Sequence, residues 1–353
     1  MKRLLQALGI IAVLVSLASA DRGRVKLVNQ TLVADNGYLL RGCHAHLHDF
    51  SYNAFKNLKW WTDLRDKAKL NTVRVMAFYG EWPNSTETMD ATKIKARLDA
   101  AVNNAAQAGM YVIIDNHSTC CVKHDRPTIE TFWNIVAPRY KDRTHVIYEI
   151  QNEPGAASAI LQRDMLNLIR GHAPLTHVIC WSFSRLDDNR VSAAENATGI
   201  SYANASIGFH PYGYSGQASH TALTFIQRLK NVGPVIMTEI TDCCGTANAA
   251  AVIDKMEELK ISWMWLAGGV GTYGTGFDPN TFTVKWPADP GCVGTGVTFR
   301  ESRLPVAPVT IRTGPTVYSI DGRQINAADI PTGVYIIRGN SSGVPAIKKV
   351  LIK

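Results

Sequence analysis

Short apolar runs rich in Val, Ile, Tyr and Trp recur along the chain, with room for one helix between each pair. Eight can be read: YLLRGCHAH (38 to 46), TVRVMAFY (72 to 79), YVIIDNH (111 to 117), HVIYEIQNE (145 to 153), HVICWSF (177 to 183), SIGFHPY (206 to 212), PVIMTEI (234 to 240) and ISWMWLA (261 to 267). Near-continuous apolar character suits strands buried on both faces. Among the intervening stretches, TKIKARLDAAVNNAAQAG places apolar residues three and four apart and ends in Gly109, a helix C-terminal signal. Eight strand–helix units predict an α/β fold, the (β/α)8 TIM barrel. Before the first run, RVKLVNQTLVADNGYLL carries Asn36-Gly37 between alternating residues, which predicts a hairpin capping the barrel bottom. After the eighth run, a Gly-rich segment shows no helical period, so the eighth helix is not readable.

The two ends of the chain follow other patterns. Residues 1–20 combine Lys2 and Arg3, a long apolar stretch and the small-residue end Ala18-Ser19-Ala20, a secretory signal peptide cut before Asp21. No other stretch is long and apolar enough to span a bilayer. Residues 21–303 hold the barrel. LPVAPVTIRTGP, with prolines at 305, 308 and 315, marks an extended linker over 304–315. Residues 316–353 alternate short β-like runs with Asp-Gly, Thr-Gly and Ser-Ser-Gly turns, which predicts a small all-β module.

With 353 residues, 46% of them apolar, the chain can bury one large core beside a small appendage. The formal charge of +8 does not indicate nucleic acid. Lys2 and Arg3 fall in the leader, and six basic against two acidic side chains fall in 304–353, leaving a nearly neutral body. No basic cluster interleaves with aromatics to follow phosphates. Seven cysteines in an exported chain predict structural disulfides with at least one thiol left over. The adjacent pairs Cys120-Cys121 and Cys243-Cys244 lack CxxC spacing, and their partners are not deducible.

In a barrel of this kind chemistry sits where strands end. The runs supply Arg74 in the second, Asp115, Asn116 and His117 closing the third, Asn152-Glu153-Pro154 the fourth, His210 and Tyr212 the sixth, Glu239 the seventh, and Trp263 and Trp265 the eighth. Two glutamates closing opposed strands suggest hydrolysis of a glycosidic bond, one as a protonated acid and the other as an ionised nucleophile, the carboxyls roughly 5 to 5.5 Å apart in a retaining enzyme. Arg74 beside a carboxylate favours its ionised form. Asn152 can hold a sugar hydroxyl, and Trp265 offers a face for a pyranose ring. Glu153 is expected to titrate high, because a second negative charge about 5 Å from the first is disfavoured.

The motifs LLRG, NTVRV around Arg74, VIIDNH ending at His117, EIQNEP with Asn152 and Glu153, FHPY with His210 and Tyr212, and VIMTEI with Glu239 resemble glycoside hydrolase family 5, the cellulase family of retaining barrel glycosidases. The resemblance covers roughly residues 30 to 267, and NEP followed 86 residues later by a strand-ending Thr-Glu, with His-Pro-Tyr between, is its specific part. It implies Glu153 as acid/base and Glu239 as nucleophile, with Arg74 and Tyr212 hydrogen-bonding that nucleophile. It implies further that His117, Asn152, His210 and an aromatic at Trp265 line the cleaved-bond subsites. The expected activity is endo-acting, retaining hydrolysis of β-1,4-linked glucan, with cellulose-type or mixed-linkage glucan ranked ahead of mannan. Trp60, Trp61, Trp82 and Trp286 are candidates for stacking in outer subsites.

His44, His46 and His48 alternate at the end of the first run. An HxH there also resembles metal-dependent amidohydrolase barrels, which carry further histidines after strands 5 and 6 and an aspartate on strand 8. Here the fifth run closes with WSFSRL and the eighth with WMWLAGG, so a metal would lack ligands. The three histidines are read as strand and loop residues, with His46 facing sugar, and neither metal nor cofactor is expected. A non-catalytic glycan-binding barrel is the other alternative, disfavoured because both carboxylates are present. The tail pattern VYSIDGR, GVYIIR and a lysine-containing last strand resembles the C-terminal sorting domain of the type IX secretion pathway. That resemblance implies engagement of secretion machinery, and a monomer that is secreted or held at the cell surface after outer-membrane export.

Overall fold

The computed structural model describes residues 21–47, 53, 55–81, 87–117, 125–213, 220–241, 249–266 and 289–290, together with strand backbone within 316–352. The chain divides into two compact units, Met1–Val297 and Thr298–Lys353. In the first, β1 (Lys26–Val28) and β2 (Thr31–Val33) precede β3 (Arg41–His46), β4 (Thr72–Ala77), the two short strands β5 (Gly80–Glu81) and β6 (Thr88–Met89), β7 (Tyr111–Asn116), β8 (Val146–Glu149), β9 (Val178–Phe183), β10 (Ala205–Phe209), β11 (Val235–Met237) and β12 (Trp263–Trp265). Strands β3, β4, β7, β8, β9, β10, β11 and β12 are parallel in that order, and β12 returns to β3, so the sheet closes as the expected eight-stranded barrel.

Seven helices are described: α1 (Leu58–Asp66), α2 (Ala91–Ala108), α3 (Arg126–Tyr140), α4 (Ala159–His172), α5 (Asp188–Glu195), α6 (His220–Val232) and α7 (Ala249–Glu258). Helix α2 illustrates how local sequence sets their limits. Asp90 caps its first turn by accepting from the backbone N–H of Thr92 and Lys93, and Gly109 ends it in the left-handed region at φ 67°. The expected eighth helix, the linker and the signal peptide lie outside the described residues. So do Cys120, Cys121, Cys243, Cys244 and Cys292, whereas Cys43 and Cys180 are buried free thiols.

The N-terminal segment makes the expected Asn36-Gly37 turn and a further one before it. β1 and β2 are joined at Asn29-Gln30, with φ 48° and 57°, a two-residue turn whose positive dihedrals match strand twist. Asn36-Gly37 makes a second turn, Gly37 at φ 89°, which leads into β3. Thr31 of β2 pairs with Val235 of β11, so the hairpin is seated at the N-terminal end of the barrel.

The barrel interior is layered. Leu40, Tyr111, Ile113, Ile147, Ile179, Ile236 and Met264 fill the lower part, with Leu32 and Ala34 from the hairpin region beneath them. The opposite strand faces, Val73, Val75, Val112 and Ile114 among them, pack on helix residues such as Leu98 and Val102. Above the apolar layers the inward positions turn polar: His44 lies opposite Arg74 and Asp115 opposite Glu149. The second unit is a four-stranded antiparallel sheet of β13 (Thr316–Tyr318), β14 (Gln324–Ile325), β15 (Gly333–Ser341) and β16 (Val344–Ile352), in the order β14-β13-β15-β16.

Candidate active site

Burying an arginine inside a barrel requires acceptors for its donors, and Arg74 has four. Its Nε and Nη2 donate to the two oxygens of Glu149 at 2.7 and 2.8 Å, and Nη2 also reaches Asn152 Oδ1 at 2.7 Å and Asp115 Oδ2 at 3.0 Å. Nη1 donates to Glu239 Oε2 at 2.8 Å. The other oxygen of Glu239 accepts from the Tyr212 hydroxyl at 3.0 Å. Glu239 therefore has one oxygen fixed by a guanidinium and the other by a phenol.

Glu153 is placed by backbone irregularity. Strand β9 carries a bulge at Trp181 and Ser182, with φ 77° and 34°, where its register with β10 shifts. Gly208 of β10 lies against it; a Cβ there would collide with Ser182 Oγ. The bulge presents the Ser182 carbonyl to the backbone N–H of Glu153 at 3.1 Å, and Asn152 N–H donates to Asn116 O at 2.9 Å. Held from both sides, Glu153 adopts φ 49°, a conformation costly for a residue with a side chain and kept only where surroundings enforce it. Its Oε1 lies 3.0 Å from His210 Nδ1, and His210 Nε2 lies 3.0 Å from Thr238 Oγ1. Glu153, His210 and Glu239 each bring one polar atom within 4.8 Å of the others.

Burial pushes the Asp115 carboxyl up to about 7, with the Arg74 charge opposing and the Glu239 charge reinforcing. Burial raises Glu149 as well, against the pull of Arg74. His117 is pushed down to about 3 by burial and the Arg74 charge, and His44 well below its ordinary value by the same two causes. Arg74 is held charged, burial notwithstanding, by Asp115, Glu149 and Glu239. For Glu153 the expectation of a high value is reversed. Burial raises it, but the hydrogen bond and charge of His210, then the charges of His117 and Arg74, outweigh that and hold the carboxyl below its ordinary value. His210 is the physical reason, since its ring nitrogen lies within hydrogen-bond distance of the carboxylate.

The barrel brings Arg74, Asn152, Glu153, His210, Tyr212 and Glu239 together at its C-terminal mouth. His117 pairs with Asp115 Oδ2 at 2.6 Å, and the ring of His46 stands edge-on to it at 5.7 Å. Trp265 ends its strand half-exposed, while Trp263 is buried with Nε1 donating to Glu257 Oε1 in α7 at 2.8 Å. Trp61 is a core residue that bonds the Phe55 carbonyl, not a stacking platform, and Trp60 is half-buried against the same core. His48, Trp82 and Trp286 lie outside the described residues. Glu149, His44, Ser182 and Thr238 were not among the expected site residues. His44 Nε2 donates to Thr238 O at 3.0 Å, with its other nitrogen 3.8 Å from Glu239 Oε2.

The trio Glu153, His210 and Glu239 has the spacing of a cation site. Its chemistry argues otherwise: a guanidinium already sits 2.8 Å from Glu239, and the His210 nitrogen in question faces Glu153. The arrangement is instead that of a barrel with two carboxylates brought close together at the ends of its strands. Residues 34–269 match the family model Cellulase (glycosyl hydrolase family 5), and the chain belongs to that family. Among curated proteins, Endoglucanase E-5 of Thermobifida fusca is 26% identical over 203 residues, covering 52% of this chain and 43% of that protein. Endoglucanase CelA of Streptomyces lividans is 28% identical over 235 residues, covering 60% and 49%. The chain thus spans about half the length of these relatives. The solved catalytic domain of Thermobifida fusca endoglucanase Cel5A has the same fold, with a TM-score of 0.57 at 22% identity over 78% of this chain and 94% of that one. No helix among the described residues is long and apolar enough to cross a membrane.

Proposed function

We propose that this chain is a secreted, endo-acting, retaining β-glycosidase that cleaves β-1,4-linked glucan by double displacement. The observation that carries the reading is the approach of Glu153 and Glu239 to within 4.8 Å, one beside His210 and the other pinned by Arg74 and Tyr212. Retaining enzymes hold their carboxyls about 5 to 5.5 Å apart, while inverting ones leave room for water at about 6.5 to 9.5 Å. The names of the relatives, both endoglucanases, support the substrate class.

In the first step Glu239 attacks the anomeric carbon as Glu153 delivers its proton to the leaving glycosidic oxygen, so the C–O bond breaks and a glycosyl ester forms. In the second, Glu153 takes a proton from water, the hydroxide attacks the same carbon, and Glu239 leaves as carboxylate. Asn152 spends its Oδ1 on Arg74, which turns its Nδ2 toward a sugar hydroxyl. His117, His210, Tyr212, His46 and Trp265 line the subsites on either side of the cleaved bond. No cofactor takes part. Residues 1–20 act as the export signal, 21–303 as the catalytic domain, 304–315 as linker and 316–353 as the sorting module, for a monomer that is secreted or surface-held.

Initial rates on carboxymethylcellulose, barley glucan, lichenan, glucomannan, galactomannan and xylan test the substrate assignment. Highest activity is expected on cellulose-type or mixed-linkage glucan; highest activity on galactomannan would overturn it.

A further inference from the structure

The bulge in β9 is held from outside the sheet. Trp181 and Ser182 together stand where β10 offers only Gly208, since the register runs Cys180 with Ile207 and then Phe183 with Phe209. A two-against-one arrangement disrupts the ladder, and a buried N–H displaced from it needs another acceptor. The Trp181 N–H has one in helix α4, where it donates to Gln162 Oε1 at 2.9 Å. A backbone N–H can only donate, so the oxygen of the Gln162 amide is the atom that faces it. Gln162 is fully buried, and its Nε2 lies 3.5 Å from the side-chain oxygen of Gln151, two residues before Glu153. The Trp181 ring is held as well, its Nε1 donating to the Tyr202 hydroxyl at 2.8 Å.

The bulge carries Glu153 and its partner. Ser182 O accepts from the Glu153 N–H at 3.1 Å, and the next carbonyl, Phe183 O, accepts from the His210 N–H at 2.8 Å. Strand β9 thus serves the segment after β8 on one side and the end of β10 on the other. The two side chains meet there, Glu153 Oε1 lying 3.0 Å from His210 Nδ1. Sliding β9 by one residue would take both carbonyls out of register with these N–H groups. Glu239 depends on other donors, Arg74 in β4 and the Tyr212 hydroxyl.

We propose that Gln162 is a positioning residue for the catalytic acid: its amide oxygen fixes the β9 bulge, and the bulge sets Glu153 and His210 against each other. This deepens the glycosidase reading and rests on it. Gln162 lies on a helix outside the barrel and acts only through Trp181, Ser182 and Phe183. Its loss is therefore felt at the delivery of the proton to the leaving oxygen, while the attack by Glu239 keeps its geometry.

The test is Gln162→Met in the full chain, which keeps the length of the side chain and removes the acceptor. Two substrates separate acid assistance from general damage, with kcat/KM read for each because it reports the step in which the glycosidic bond breaks. On a cellooligosaccharide, whose leaving alcohol needs a proton, kcat/KM is expected to fall by about 100-fold. On dinitrophenyl β-cellobioside, whose phenolate leaves without one, the expected fall is under about 3-fold, since general-acid help is not required there. Gln162→Glu returns an oxygen to the Trp181 N–H and is expected to recover most of the oligosaccharide rate. An equal fall on both substrates, or a Gln162→Glu chain as impaired as Gln162→Met, would overturn the proposal. So would a Gln162→Met chain that does not fold, because the amide would then serve the barrel and not the acid. A parent chain that cleaves neither substrate would overturn the glycosidase reading itself, and this proposal with it.

Discussion

Glu149 holds Arg74 at two points, Nε to Oε2 at 2.7 Å and Nη2 to Oε1 at 2.8 Å, with both side chains fully buried. The pairing leaves Nη1 as the arm that reaches Glu239, so the direction of that arm depends on Glu149. Breaking a buried pair from one side costs up to about 3–5 kcal/mol, and less here because Asp115 and Glu239 still face Arg74. Glu149→Gln is therefore expected to lower thermal stability measurably. It should also reduce kcat by about 100-fold, since small misplacements in an active site carry losses of that size. Thermal unfolding together with kcat and KM on a soluble glucan checks this; a variant with the parent's kcat would show that Arg74 does not need Glu149 for its aim.

Tyr212 donates to the Glu239 oxygen that Arg74 does not hold. Tyr212→Phe keeps the ring and removes one hydrogen bond to a charged group, worth about 1.5–3 kcal/mol. A fall of about 10- to 100-fold in kcat/KM is expected, measured with the fold verified by circular dichroism. An unchanged value would mean that the phenol does not orient the carboxylate during turnover.

Much of this site could be read from the chain, and what escaped did so for physical reasons. The eight strands were legible because each is buried on both faces, and Arg74, Glu153, His210 and Glu239 because polar residues at strand ends interrupt that pattern. Glu149 was not, because in HVIYEIQNE it reads as a stray charge in an apolar run. Asking which base could neutralise a buried acid there would have led to Arg74. Ser182 and Gly208 owe their places to a bulge in β9, which leaves no trace in hydrophobic periodicity. His44 was read as a strand residue, though the parallel register sets it opposite Arg74. The Asn36-Gly37 turn was legible from its glycine, while the Asn29-Gln30 turn before it was not, because neither residue is a glycine although both take positive φ.

The bulge gives a prediction by substitution. A Cβ on Gly208 would collide with Ser182 Oγ and lie 2.9 Å from both Ser182 Cα and Ile179 Cγ2. Gly208→Ala should cost about 1–3 kcal/mol by overpacking and lower activity as well, because the Ser182 carbonyl anchors Glu153. Gly171→Ala, in α4 with nothing within 4 Å of the added carbon, should leave activity intact and raise stability by about 0.4–1 kcal/mol. Denaturant unfolding of the two variants beside the parent gives the comparison.

Stability should also depend on pH through a histidine away from the cleft. His177 is buried, with Nδ1 3.1 Å from Asn204 Oδ1 and Nε2 3.0 Å from Ser206 Oγ. Burial pushes it down to about 3, with a smaller contribution from the Arg170 charge. The folded chain refuses a proton that the unfolded chain accepts near 6.5. Its contribution is therefore complete above about pH 6.5 and is lost progressively as the pH falls toward 3, a change of the order of 4 kcal/mol. His177→Gln should flatten that part of the acid profile. Parallel unfolding curves for parent and variant from pH 7 to pH 4 would contradict this.

If Glu239 attacks the anomeric carbon while Glu153 protonates the leaving oxygen, the anomer of the first product reports it directly. Proton NMR of a cellooligosaccharide digest, recorded before mutarotation, is predicted to show the new reducing end as the β anomer, with Glu239→Gln giving no product. Appearance of the α anomer first would mean that water attacks directly, and the two carboxylates would then have to be assigned other roles.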